Sequence, residues 1–183
     1  TLSSAGIFSW YSYVNPFLTG VSGFKESLMP LFMLMAGASM CVGNYWGGRL
    51  SDRYTPEIVS TYTLGTMFVS LTLIFLLGSF GAASLVLLCV LTGCLFAISS
   101  PQQQLLLQHS PGGEMMGGAM VQLAFNLGNA IGAYLGGVPI DKGIGVQYSP
   151  LIGAGLALIG VSILILFNRL QQRELLLSAI NCK

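Results

Sequence analysis

Charged side chains are scarce in this sequence: seven Lys and Arg, six Asp and Glu and one His among 183 residues, against 54% hydrophobic residues. So few polar groups cannot cover a globule in water, which excludes the ordinary water-soluble classes and makes lipid the natural solvent. Also missing are a phosphate-binding loop, a metal-ligand cluster and any Ser/His/Asp set able to converge. No enzymatic chemistry, cofactor, metal or nucleic-acid partner is therefore expected. The four cysteines do not suggest disulfide staples, because Cys41, Cys89 and Cys94 fall in apolar stretches and Cys182 near the tail, where reduced thiols are expected. No Met opens the chain and no signal-peptide pattern follows; Thr1-Leu2-Ser3-Ser4 leads straight into an apolar segment, as expected of a chain cut from something longer.

What charge there is falls in clusters: Lys25-Glu26, Arg49 to Glu57, His109 to Glu114, Asp141-Lys142 and Arg169 onward. A helix needs about 20 apolar residues to cross a hydrocarbon core of about 30 Å. Residues 27–48, 115–140 and 143–168 each suit one crossing, while the uncharged stretch 58–108 is long enough for two, divided at Gly78-Ser79-Phe80-Gly81. With the opening segment ahead of Thr19-Gly20-Val21-Ser22-Gly23, six spans are expected at about 1–19, 28–48, 58–78, 83–107, 115–137 and 149–168. A transmembrane barrel would instead alternate polarity over strands of about ten residues, whereas Leu71–Leu77 and Leu85–Leu91 are apolar on all faces. The division is thus a six-helix transmembrane bundle at 1–168 and a tail at 169–183. Arg49, Arg53, Arg169, Arg173 and Lys183 share one side, against Lys25 and Lys142 on the other, which places the C-terminus in the cytoplasm.

Between the second and third spans stands Gly48-Arg49-Leu50-Ser51-Asp52-Arg53-Tyr54. In such a loop Gly48 allows close helix approach, Asp52 can cap a helix N-terminus and Arg53 offers a planar donor fork to a carboxylate. The run resembles the G-x-L-x-D-R-x-G-R loop of the major facilitator superfamily. Thr55, Pro56 and Glu57 stand where that loop would show Gly and basic residues, like the weakened copy in the second half of those proteins. The runs Trp10-Tyr11-Ser12-Tyr13-Val14-Asn15-Pro16, Gly112-Gly113-Glu114 and Gln122 to Tyr134 are similar to the drug:proton antiporter-1 group, particularly its AraJ-like sugar-efflux members. The resemblance covers nearly the whole chain. It implies an all-α integral membrane fold, one six-helix half of a twelve-helix transporter, with helices 7 to 12 present and helix 7 incomplete. It further implies efflux of sugars or drug-like molecules exchanged for protons across the inner membrane, a partner N-terminal half, and a cavity lined by helices 7, 8, 10 and 11.

Intramembrane amides mark the candidate binding residues. Gln122, Asn126 and Asn129, at i, i+4 and i+7, fall within roughly 60° of arc and form one polar stripe. Unsatisfied amides in hydrocarbon cost several kcal/mol each, so the stripe faces a wet cavity or another helix; an interhelical bond averages only about 0.6 kcal/mol. Beside it Gly128, Gly132 and Gly136 form a doubled G-x-x-x-G suited to close packing. Pro101 should kink the fourth span, leaving a freed carbonyl beside Gln102, Gln103 and Gln104; Gln102 is the cavity candidate and the other two suit the headgroup region. On the first span Phe8, Tyr11 and Asn15 share a face, making Tyr11 and Asn15 candidate ligand contacts, while Trp10, Tyr13 and Phe17 read equally as an interfacial aromatic belt. Asn44 reads as a packing residue. The third and sixth spans hold no amide or ionisable side chain before Asn168 at the last position, as expected of lipid-facing helices. No acidic side chain lies deep in any span, so a proton-coupling carboxylate is expected outside this chain. Competing readings are a self-standing six-helix protein that dimerises and a non-transporting scaffold or remnant half.

Overall fold

The computed structural model describes residues 1–108 and 112–181, with side chains throughout except at Glu114 and from residue 171 onward. Eight helices follow in order: α1 Leu2–Tyr11, α2 Val14–Gly20, α3 Met29–Arg53, α4 Pro56–Leu77, α5 Gly81–Ala97, α6 Ser99–Gln108, α7 Glu114–Asp141 and α8 Ser149–Asn181. No strand occurs among the described residues. Because α1–α2 and α5–α6 are each one rod with a break, the eight helices make the six rods expected of six spans. Four stretches, Glu26–Arg53, Pro56–Leu77, Gly81–Gln108 and Val146–Leu170, are long and apolar enough among the described residues to cross a bilayer by themselves. The first rod is in pieces of ten and seven residues, and α7, at 28 residues, dilutes its apolar content with three amides and its glycines.

Both breaks have the same cause. Pro16 cannot donate to the Ser12 carbonyl, nor Pro101 to that of Ala97, and each break lies three or four residues before its proline. At the first, Tyr13 N tightens onto the Trp10 carbonyl at 2.9 Å; at the second, Ile98 N still reaches Cys94 at 3.0 Å. The break at Pro101 follows the sequence reading. That at Pro16 corrects it: a continuous first span put Phe8, Tyr11 and Asn15 in one helical register, and the interruption at Ser12-Tyr13 separates Asn15 from the other two.

Small residues decide which rods touch. A Cβ on Gly128, Gly132 or Gly136 would run into the backbone of Thr1, Ala5 or Ser9, so α7 lies on α1 with successive turns in step and backbone against backbone. The same device joins α3 to α5, where Gly43 meets Gly93 and Gly47 meets the Ala97 carbonyl. Gly6 and Gly153 bring α8 against the adjacent face of α1. Exchanging the first three rods with the last three maps the contact α1–α7 onto α5–α3 and α1–α8 onto α5–α4, with α4–α8 shared between them. The broken rods correspond under this exchange and run in opposite directions, an inverted internal repeat.

The centre of the bundle is filled by Ile7, Trp10, Phe17, Leu18, Met67, Leu71, Ile74, Leu88 and Leu91, all fully buried. Trp10 and Phe17 meet edge to face at 5.6 Å, and the Tyr13 hydroxyl donates to the Ala133 carbonyl of α7 at 2.8 Å. The aromatic-belt reading of these three is therefore corrected: they pack inward, because the glycines of α7 bring that helix within their reach. Beyond α2, Ser22 Oγ donates to the Gly78 carbonyl at 2.6 Å and Ser84 Oγ to the same atom at 2.9 Å, clasping the turn between α4 and α5. Cys41, Cys89 and Cys94 are free thiols.

Candidate functional site

A cavity of about 640 Å³ opens between the start of α1, the α5–α6 junction and the first turns of α7. The break at Ile98 lets α6 diverge from α5 and gives the cavity one wall; the glycine contact of α7 with α1 gives it another. Its polar lining comes from Thr1, Ser3, Ser4 and Ser99 and from the amides Gln102, Gln103 and Gln122, with Phe96 and Phe125 among the apolar contributors. No Asp, Glu, Lys, Arg or His side chain lines it. Such a surface can donate and accept hydrogen bonds but cannot neutralise a charge, which suits uncharged polar solutes with an apolar face.

Of the five candidate binding residues, the structure brings Gln102 and Gln122 together here. Gln102 is half-buried and donates through Nε2 to Ser3 Oγ at 3.2 Å, while Gln122 is exposed on α7. Asn126 is exposed one turn further along and lies outside the cavity wall. Asn129 Oδ1 is buried without a partner. Tyr11 is half-buried with its ring 5.7 Å from that of Phe8, which in turn packs at 6.0 Å on Phe125; Tyr11 reaches the cavity only through that aromatic chain. Asn15 is exposed on α2, away from the cavity.

At about 100° per residue, α7 carries three distinct faces. Gly128, Gly132 and Gly136 meet α1; Gln122 and Asn126 lie roughly 100° around from them; and Met116, Met120, Leu123, Leu127 and Tyr134, all exposed, occupy the remainder. Both amides of this face are exposed, Gln122 at the cavity and Asn126 beyond it.

Sequence reasoning missed Ser3, Gln103 and Phe125 as wall residues. A usable signal existed for Phe125, three residues from Gln122 on the same helix; Ser3 looks like any small polar residue until its helix is docked. Also missed was the Gly43-x-x-x-Gly47 spacing on α3, which carries the close approach assigned to Gly48. A Cβ on Gly48 would meet only Ser100 Oγ, at 3.7 Å, so it has ordinary space. Asp52 and Arg53 sit not in a loop but in the last turn of α3, both exposed, with the Arg53 guanidinium 6.0 Å from the Tyr54 ring. The N-cap of α4 is Thr55, followed by Pro56, and no side chain caps it. Asn44 is exposed rather than packed. Gln104, assigned to the headgroups, instead accepts a hydrogen bond from Ser51 at 2.7 Å.

Comparison with known proteins agrees with this architecture. The Major Facilitator Superfamily model matches residues 1–121. The chain is 39% identical over 171 residues to AraJ of Escherichia coli (strain K12), which carries a transporter's name, covering 93% of this chain and 43% of that protein. It is 30% identical over 167 residues to the inner membrane transport protein YdhP of the same strain, covering 91% of this chain and 42% of YdhP. A probable sugar efflux transporter of Helicobacter pylori (strain J99) is 22% identical over 157 residues, 86% of this chain and 40% of that protein. The chain thus spans about two-fifths of the length of these curated relatives. From a helical bundle held by glycine contacts, and a family model matching most of its length, it follows that this chain belongs to the Major Facilitator Superfamily of membrane transporters.

Proposed function

We propose that the chain is the C-terminal six-helix half of a secondary transporter that exports uncharged polar or amphiphilic solutes, sugars or neutral drug-like molecules, by alternating access. The observation that carries this reading is the cavity of about 640 Å³ whose polar wall is built from amides and hydroxyls alone. Support for a partner half comes from the two exposed stripes, Leu31, Leu34, Val42, Tyr45 and Trp46 on α3 and Met116 to Tyr134 on α7, which this bundle leaves uncovered. A second bundle on those faces would close a central pathway over Gln122 and Asn126. The relatives' names support efflux of sugars and an inner-membrane setting. Protons would be the coupling ion, with the titrating carboxylate supplied by the other half, since the acidic residues of the described spans all stand at helix ends and none lies deep within one. The excess of Arg and Lys at one end supports a cytoplasmic C-terminus.

The test is a thermal-shift screen of the complete transporter in detergent against uncharged sugars and organic cations. A ligand of the folded state raises the melting temperature, so a sugar-specific shift that is lost in Gln122→Ala supports the reading. Stabilisation by cations alone would reject the neutral-solute assignment.

A further inference from the structure

We propose that Ser51 and Gln104 are positioning residues that fix the rotation of α6 and thereby the shape of the cavity, an inference that rests on that cavity being the solute site. Pro101 leaves the Ala97 carbonyl without its intrahelical donor, so α6 takes little rigidity from α5. Side chains hold it instead. Gln102 Nε2 donates to Ser3 on α1 at 3.2 Å, and Gln104 Oε1 accepts from Ser51 on α3 at 2.7 Å. Two positions apart on a helix means about 160° apart around its axis, so these bonds grip α6 from nearly opposite sides. Gln103 lies between them and is exposed in the cavity wall. Turning α6 by a fraction of a turn would carry Gln103 out of the wall and break one of the two bonds.

Both hydroxyls are buried, Ser51 and Ser3 each only 5% exposed. The Ser51 hydroxyl has no water to fall back on, and its loss leaves the Gln104 amide oxygen short of a donor. Ser51 also stands inside the Gly48–Arg53 run, next to Asp52 and Arg53. The geometry therefore ties the end of α3 that carries this run to the helix bearing two of the cavity's amides.

The experiment uses the intact transporter in membranes, with Cys41, Cys89, Cys94 and Cys182 replaced by Ser and Gln103→Cys as a reporter. Ser51→Ala should shift the rate of maleimide labelling at position 103 roughly three- to tenfold, the weight of one hydrogen bond, while Ser51→Thr, which keeps the hydroxyl, restores it. In the same variants, without the reporter, Ser51→Ala should raise KM for a radiolabelled thiogalactoside by a similar factor at unchanged maximal rate. Should Ser51→Ala fail to reach the membrane, Gln104→Ala and Gln104→Glu ask the question from the other partner, the carboxylate still accepting from Ser51. An unchanged labelling rate overturns the proposal, as does an equal shift in Ser51→Ala and Ser51→Thr. A labelling shift with unchanged KM also overturns it, provided Gln102→Ala raises KM. If Gln102→Ala leaves KM unchanged, the solute-site reading fails instead, and the labelling result still judges the grip on α6.

Discussion

Gly132 shows how much of the assembly hangs on a missing side chain. A Cβ there would collide with the backbone of Ala5, and a backbone atom cannot rotate aside. Gly132→Leu is expected to abolish the α1–α7 contact and with it a monodisperse product, as size-exclusion chromatography in detergent would reveal; normal yield and profile would contradict the close-packing account. Tyr13→Phe is a gentler probe. It removes the hydroxyl that bonds the Ala133 carbonyl, a loss of about 1 kcal/mol, visible as a lowered melting temperature. At this scale the sequence was readable in part. Periodicity alone placed Gln122 and Asn126 on one face and the three glycines on another, because helical geometry fixes such relations locally. It did not say that the cavity takes Gln122 but leaves out Asn126, or that Trp10, Tyr13 and Phe17 turn inward, since those outcomes depend on how near α7 comes.

Among the elements, the two broken rods distinguish this bundle from six plain cylinders. Pro101→Ala restores a donor for the Ala97 carbonyl and is expected to join α5 and α6 into one helix. Circular dichroism should then show added helix and the melting temperature should rise, while solute export falls because α6 no longer forms its wall. Unaltered export in a stabilised variant would remove α6 from the mechanism. The positions of the spans were legible from charge spacing, because an apolar run of about 20 residues in oil has no other way to satisfy its backbone. The break at Pro16 was not, because a proline near a helix end is equally compatible with a kink, a stop or a tolerated turn. Nor were helix ends: the 48–53 stretch reads as a loop by its charges, yet α3 runs on to Arg53, since a helix leaving the bilayer keeps its hydrogen bonds in water as well.

For the whole molecule, the two-half reading proposed above predicts that the exposed apolar faces of α3 and α7 are covered by a second bundle. Coexpression with a separate N-terminal bundle should raise this bundle's yield and melting temperature; a bundle equally stable by itself would weaken the two-half reading. A C-terminal green fluorescent protein fusion should fluoresce and an alkaline phosphatase fusion should stay inactive, reporting a cytoplasmic end; the reverse would invert the topology. The contact between α7 and α1 has one more consequence. Its closest approach is main chain to main chain at Gly128, Gly132 and Gly136, a face that Gln122 and Asn126 do not share. Under the proposed function, positions 122 and 126 would then be able to change without jeopardising assembly, which would make this helix the natural place for a lineage, or an engineer, to exchange one cargo for another.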